Sequence, residues 1–132
     1  MRTKLIALAI LGATTTFAFA QGLPNFITET YPSHASESFM KNYGTLKGEG
    51  SALDAKTFEL IGLAVAAQIP CEYCVYAHTK QAKLAGATDA ELKEAVAMAG
   101  AVRAFSTVFN GAAYDFEAFK SEHDKLVPPP SE

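Results

Sequence analysis

The sequence predicts an all-α fold, and three observations support this prediction. No stretch of the chain alternates apolar and polar residues in the manner of a half-buried strand. Thr88 is followed three positions later by Glu91, which is the spacing of a capping box at a helix start. Alanine is abundant and tryptophan is absent, a composition that suits closely packed helices. We therefore expect helices joined by short turns.

The first two predicted helices lie in the N-terminal half of the chain. One covers residues 33–43, with Ser33 as its N-cap and Gly44 as its terminator. The second opens at Ser51, which has capping-box spacing to the acidic residue at position 54, and runs to about residue 69. This second helix is apolar almost all round, and a helix without a polar face is expected to be buried.

Three further helices are predicted after it. Pro70 suits the first turn of the third helix, which carries both cysteines and stops at Gly86. The fourth helix opens at the capping box described above and runs to about residue 109, where the Asn-Gly pair at 110–111 ends it. The last helix is expected at residues 112–124.

The N-terminal segment has the features of an export signal. Arg2 and Lys4 precede an apolar run that closes on Ala-Phe-Ala at residues 18–20, the small-x-small pattern that signal peptidases cleave. A membrane anchor would need roughly 20 apolar residues, and here proline and polar residues follow soon after the run. We expect residues 1–20 to be a cleaved signal peptide and the protein to be exported to the periplasm.

The rest of the chain is expected to form one helical domain with a short tail. The domain covers residues 21–127, and the proline-rich residues 128–132 are expected to be extended. The formal net charge is −3, or −5 once Arg2 and Lys4 are removed. Because no basic stripe is present, neither nucleic acid nor an anionic membrane surface is an expected partner.

The chain has two cysteines, Cys71 and Cys74, three positions apart. A c-type haem site would require histidine directly after the second cysteine, where Val75 stands. A structural zinc site needs four ligands. Cys71, Cys74 and His78 would supply three of them, and the fourth would come from His34, His123 or Glu59.

A structural disulfide and a redox-active pair are the other two interpretations of the cysteines. A disulfide that closes four residues contributes only about 2 kcal/mol by the loop-entropy estimate, against about 5 kcal/mol for a long loop. A purely structural disulfide at this position would therefore stabilise the fold less than one that closes a long loop. The sequence favours a redox-active pair, with zinc binding and a structural disulfide as alternatives.

The positions of the cysteines supply the chemistry that a redox pair needs. Both lie at the start of a predicted helix, where free N–H groups and the helix dipole favour thiolate over thiol. His78 follows Cys74 by four residues, hence on the same helical face, and its imidazole can take the thiol proton. Cys71 is within reach and can resolve a sulfenic acid or a mixed disulfide.

Glu59 is a carboxylate within the nearly apolar second helix. Burying such a group is costly unless it is paired or protonated. It is either a glutamate that faces solvent or caps the helix, or a proton acceptor that orients His78 and completes a carboxylate–histidine–thiol relay. Both interpretations stay open, because the sequence does not reveal how the two helices cross.

Taken together, these motifs resemble a known family. The runs FELIGLAVAA at residues 58–67, CEYCVYAH at residues 71–78 and GATDAE at residues 86–91 are similar to the signature of the AhpD-like alkylhydroperoxidases, a branch of the carboxymuconolactone decarboxylase family. The resemblance covers roughly residues 33–109. It implies an AhpD-like all-α fold with the CxxC motif at a helix N-terminus.

The resemblance also implies a function. It implies a thiol-dependent antioxidant oxidoreductase that reduces a peroxide or a disulfide and receives electrons from a thiol donor, without a metal or cofactor. The matching positions imply Cys71, Cys74, His78 and Glu59 as catalytic residues, with the glutamate–histidine pair activating the second cysteine. Tyr73 stands where the archetypal member has a further histidine, so weaker peroxidase activity is expected. A homo-oligomer, trimer or hexamer, is also implied.

Two other functions remain as alternatives. A non-catalytic exported binding or assembly protein on the same fold would have slow and nonselective thiols. A lyase resembling carboxymuconolactone decarboxylase would share the fold, but that branch lacks the CxxC centre. A shared fold by itself is weak support for a shared activity.

Overall fold

The computed structural model describes residues 22–127, so the predicted signal peptide and proline-rich tail lie outside the described residues. Within that range the all-α prediction is confirmed, since six helices and no strands are present. Their bounds are α1 Asn25–Thr28, α2 Ser33–Thr45, α3 Ala55–Gln68, α4 Glu72–Leu84, α5 Asp89–Gly111 and α6 Phe116–Leu126. None of the helices between residues 22 and 127 combines the length and the apolar character that a membrane span requires.

The chain divides into two compact units, which meet in sequence between Ala52 and Leu53. The described part of the first unit contains α1 and α2. The prediction that Ser33 caps α2 was wrong: Pro32 is the N-cap, without a side-chain cap bond, and Ser33 is already helical. The predicted stop at Gly44 was also wrong, because the helix continues through it to Thr45.

The second unit begins with α3, whose cap differs from the prediction. Asp54, not Ser51, is the N-cap, since its carboxylate accepts hydrogen bonds from the backbone N–H of Thr57 at 2.8 Å and from the Thr57 hydroxyl at 3.1 Å. The backbone N–H of Thr57 is the main cause that lowers the pKa of the Asp54 carboxyl. Aspartate and serine are equally good N-cap residues, and Asp54 is the one that directly precedes the first helical residue.

The capping box predicted at the start of α5 is confirmed. The Thr88 hydroxyl accepts from the backbone N–H of Glu91, and the Glu91 carboxylate accepts from the backbone N–H of Thr88. The predicted end of this helix near residue 109 was too early, because the helix continues to Gly111. The last helix starts later than predicted, since the Asp115 carboxylate caps it by accepting the N–H of Ala118 at 2.8 Å.

The centre of the second unit is small. Leu63, Ala82 and Leu92 come from α3, α4 and α5 and are almost fully buried. The prediction that the apolar helix α3 is buried all round was wrong for the single chain, because Ile61 and Val65 are 49% and 55% exposed. Only one side of α3 packs against α4 and α5. The other side keeps its apolar residues at the surface.

Glu91 ties α5 to α3 as well as capping its own helix. Its carboxylate accepts from Nζ of Lys56 at 2.7 Å and from the N–H and hydroxyl of Thr88 at 2.7 and 2.9 Å. The bond from Lys56 is the largest cause that lowers the pKa of Glu91 from 4.5 to about 2, and the two bonds from Thr88 come next. The folded protein therefore favours the ionised carboxylate.

The shifted pKa of Glu91 predicts how its contribution to stability depends on pH. A carboxyl whose pKa is lower in the folded state stabilises that state above its unfolded pKa, and the contribution is lost as pH falls through the folded value. We expect Glu91→Gln to lower the melting temperature near neutral pH, and the difference from wild type to shrink between about pH 4.5 and about pH 2. Thermal melts across this range test it, with Glu94→Gln on the same helix as control. A constant difference would contradict the prediction.

Candidate active site

Helix α4 begins directly at the cysteine pair. Cys71 is its N-cap, and the Cys71 sulfur accepts a hydrogen bond from the backbone N–H of Cys74 at 3.2 Å. The prediction that Pro70 starts this helix was wrong, because Cys71 supplies the cap and the first helical residue is Glu72. The predicted placement of the CxxC motif at a helix N-terminus is confirmed. Free N–H groups and the helix dipole at this end favour a thiolate.

The two cysteines are joined in a disulfide. The Cα atoms of Cys71 and Cys74 lie 5.3 Å apart, and the bond closes the first turn of α4. Both residues are partly exposed. The oxidised state of a redox pair is therefore compatible with the folded helix.

Glu59 and His78 form a hydrogen-bonded pair beside this helix start. Nδ1 of His78 lies 2.7 Å from Oε2 of Glu59. Glu59 belongs to α3 and is 4% exposed, while the His78 side chain is 16% exposed. With the carboxylate ionised, Nδ1–H donates to it, which leaves Nε2 as the ring nitrogen able to accept a proton. Of the two interpretations of Glu59, the solvent-facing one is excluded.

The relay also requires that His78 and Cys74 lie on one face of α4. Residues four positions apart on a helix have Cβ atoms about 5–6 Å apart. Cys74 and His78 have this spacing inside Glu72–Leu84. Cys74 and His78 therefore lie on one face of α4, and His78 connects that face to the buried carboxylate on α3. Their catalytic roles stay a prediction.

A glycine that the sequence-based prediction did not single out also belongs to this site. Gly62 lies on α3 three residues after Glu59, so it shares the helical face of that carboxylate. A Cβ built on Gly62 would lie under 3.0 Å from three atoms of the His78 ring. The sequence did contain a signal for this role. A glycine inside a helix lowers stability by about 1 kcal/mol relative to alanine, so its presence within α3 indicates that the position has another requirement.

An open groove runs along α4 next to the disulfide. Its volume is about 720 Å³, and its lining is mostly apolar near Cys71 and carries two lysines further along the helix. The lining residues are Ala67, Pro70, Cys71, Glu72, Val75, Tyr76, Thr79, Lys80 and Lys83. Cys71 borders this groove and Cys74 does not. Tyr73, between the cysteines, is 80% exposed.

Arg103 of α5 holds the C-terminal end of α3, shortly before Cys71. Nε of Arg103 donates to the side-chain oxygen of Gln68 at 2.7 Å, and the Arg103 guanidinium also donates to the Gln68 carbonyl at 3.1 Å. The Gln68 amide in turn donates to the carbonyl of Ala99. These contacts hold the C-terminal end of α3, three residues before Cys71. Sequence alone gave no partner for either side chain.

The side chains considered as a fourth zinc ligand lie on three different helices: Glu59 on α3, His123 on α6 and His34 on α2. Within residues 22–127, no group of three or more His, Cys, Asp and Glu side chains is arranged to hold a metal ion. His123 lies on α6, where its ring is 5.6 Å from that of Phe119. His34 lies on α2, in the first compact unit.

Comparison with known proteins identifies the family. The model of the "Carboxymuconolactone decarboxylase family" matches residues 35–115, which is more than half of the chain and includes all four predicted site residues. The chain belongs to the carboxymuconolactone decarboxylase family. The resemblance drawn from the CxxC and upstream glutamate motifs is thus confirmed at the level of the family.

Two curated proteins are similar to this chain in sequence. "Uncharacterized protein 4 in cox locus" of Paracoccus denitrificans is 41% identical over 63 residues, which is 48% of this chain and 51% of the relative. An "Uncharacterized protein" of Haemophilus influenzae is 54% identical over 39 residues, which is 30% of this chain and 34% of the relative. The chain therefore spans about half or less of the length of these relatives.

The site geometry predicts a shifted pH profile of thiol alkylation when His78 is replaced by alanine or Glu59 by glutamine. An ordinary cysteine is about 3% thiolate at pH 7. If the relay lowers the midpoint by about two pH units, its loss cuts the thiolate fraction about 25-fold at pH 7 and raises nucleophilicity about eightfold. We expect alkylation of reduced protein about threefold slower at pH 7, and faster than wild type above about pH 8.

The control for this experiment is His123→Ala, which removes a histidine outside the site. Alkylation rates are measured from about pH 5 to about pH 10 on reduced protein, together with melting temperatures. If both site variants melted earlier but kept the wild-type midpoint, Glu59 and His78 would be structural residues and the relay would be refuted.

Proposed function

We propose that the protein is a thiol-dependent oxidoreductase of the alkylhydroperoxidase or disulfide reductase type. The observation that carries this proposal is the hydrogen bond from His78, one helical turn from Cys74 of the Cys71–Cys74 disulfide, to the buried Glu59 carboxylate. A buried carboxylate–imidazole pair next to a thiol is the arrangement that general-base activation of a nucleophile requires. Family membership supports the same function, because the AhpD-like branch has this residue set.

The first half of the proposed cycle reduces a peroxide. Nε2 of His78 takes the proton of the Cys74 thiol, and the thiolate attacks the outer oxygen of a hydroperoxide, ROOH. An S–O bond forms and the O–O bond breaks, so that Cys74 becomes a sulfenic acid and ROH leaves with the proton from His78. Glu59 holds the imidazole in the tautomer that can accept this proton.

The second half closes the disulfide. The Cys71 thiol attacks the sulfenic acid sulfur of Cys74, the S–O bond breaks and water leaves. The sum is ROOH plus two thiols to ROH, water and one disulfide, a two-electron reduction. Two thiols from a donor are then needed to restore the reduced pair, through a mixed disulfide.

The groove indicates where that donor attacks. Because Cys71 borders the groove and Cys74 does not, an incoming thiolate is proposed to attack the Cys71 sulfur. Cys74 then leaves as a thiolate at the helix N-terminus, where the helix dipole stabilises it together with His78, once that imidazole has taken the proton of the donor thiol. A disulfide substrate would be reduced by the reverse sequence: the Cys71 thiolate attacks it in the groove to form a mixed disulfide and one thiol leaves. The Cys74 thiolate then attacks the Cys71 sulfur and releases the second thiol.

Export and self-association complete the proposal. Large apolar side chains on the surface of α3 and α5, among them Ile61, Val65, Met98, Val102 and Phe105, favour a homo-oligomer, trimer or hexamer. The residue pattern at 1–20 favours export to the periplasm. Light scattering of the purified protein should give a mass of several protomers, and its N-terminal sequence should begin at Gln21. A monomer, or a retained N-terminus, would contradict the respective part.

The function is tested by thiol titration together with peroxide consumption on purified mature protein. Reduction should release two thiols per chain, and one equivalent of an alkyl hydroperoxide should consume both. Cys74→Ser should abolish peroxide consumption, whereas Cys71→Ser should allow one turnover that stops at the sulfenic acid.

The matched control is the double variant that lacks both cysteines. Turnover that requires an added thiol donor supports the peroxidase, and reduction of a model disulfide without peroxide consumption supports the disulfide reductase. Two thiols that stay reduced under mild oxidant would overturn the proposal in favour of a non-catalytic protein on this fold.

A further inference from the structure

We infer that Gly62 is a positioning residue of the thiol site, and that its missing side chain is what allows the His78 imidazole to reach Glu59. The role in thiol chemistry rests on the proposed function, whereas the contact between Gly62 and His78 is a feature of the structure. Gly62 is a residue of α3, whereas the two cysteines stand at the start of α4.

Three atoms of the His78 ring occupy the space that a side chain at position 62 would need. A Cβ on Gly62 would stand under 3.0 Å from Cε1, Nδ1 and Nε2 of His78, closer than real Cβ contacts come. The ring therefore lies flat against the α3 backbone in the space that any side chain at position 62 would fill. From that position its Nδ1 makes the 2.7 Å contact with Oε2 of Glu59, one helical turn earlier on α3.

Backbone conformation does not explain this glycine. Gly62 lies inside the regular helix α3 and does not have the positive φ that requires glycine at positions 22, 50 and 86. Alanine is the better helix former at such a position. The side-chain space taken by His78 is therefore the reason that this structure offers for glycine at position 62.

An alanine at position 62 should displace the ring rather than break the helix. The His78 side chain can rotate about its χ angles, whereas the α3 backbone is held by its hydrogen bonds and by the packing of Leu63 and Ala66. Rotation of the ring moves Nδ1 away from Glu59. The protein should then stay folded and lose the relay.

The test compares Gly62→Ala with Gly100→Ala. Gly100 lies inside α5, and a Cβ built there meets nothing within 4 Å, so it controls for the general effect of replacing a helical glycine. The first readout is the ring of His78 in long-range ¹H–¹⁵N spectra of the oxidised full chain, assigned with His78→Ala. We expect a fixed Nδ1–H tautomer in wild type and in Gly100→Ala, and its loss in Gly62→Ala. A wild-type ring signal in Gly62→Ala would overturn the inference.

The second readout is the pH profile of alkylation of the reduced protein. Gly62→Ala should slow alkylation at pH 7 by the same factor as His78→Ala, about threefold for a midpoint shift of about two pH units. Adding Gly62→Ala to His78→Ala should slow alkylation no further. The double variant should also melt at a higher temperature than His78→Ala alone, because the new methyl group fits the space that the ring has left and alanine favours the helix. A further rate loss, or a lower melting temperature, in the double variant would overturn the inference.

The two readouts separate failure of the inference from failure of the proposed function. If His78→Ala had the wild-type pH profile, the relay would be refuted, while the ring spectra of Gly62→Ala would still decide whether Gly62 positions His78. If His78→Ala shifted the profile and Gly62→Ala did not, the proposed function would stand and the role of Gly62 would be refuted.

Discussion

The hydrogen bond between Glu59 and His78 is the interaction on which the rest of the site depends. A carboxylate that is 4% exposed on a largely apolar helix has lost most of its hydration, which costs several kcal/mol unless polar partners replace the water. The imidazole, 2.7 Å away, is one such partner. Because Glu59 lies on α3 and His78 on α4, the bond also joins these two helices.

Small residues make that approach possible. Ala66 on α3 and Ala82 on α4 are almost fully buried, and Gly62 is covered by the imidazole. Helices that meet through such residues come close, but they bury little apolar area. No large side chain within residues 22–127 is fully buried, and many apolar side chains remain at the surface. The packing that brings the site together therefore leaves apolar surface that a second copy could cover.

Local signals were predictable where one short segment contains the whole interaction. The Thr88–Glu91 capping box depends on four consecutive residues, and it was predicted correctly. The errors at Ser33, Ser51 and Pro70 have a common cause, because several neighbouring residues can cap a helix and the sequence does not rank them. The chain used Pro32, Asp54 and Cys71 instead. For the same reason the helix ends were shifted by a few residues, although the helices from residue 33 onward were all predicted.

The sequence by itself determined the spacing of the thiol site: three positions from Cys71 to Cys74, and four from Cys74 to His78, which the helical repeat places on one face. It also determined that Glu59 is a polar residue in an apolar helix. Only the tertiary structure decided that this carboxylate points inward to His78, and that the ring rests on Gly62. The physical reason is that the crossing of α3 and α4 is set by contacts between segments distant in the chain, and no local pattern of residues encodes that angle.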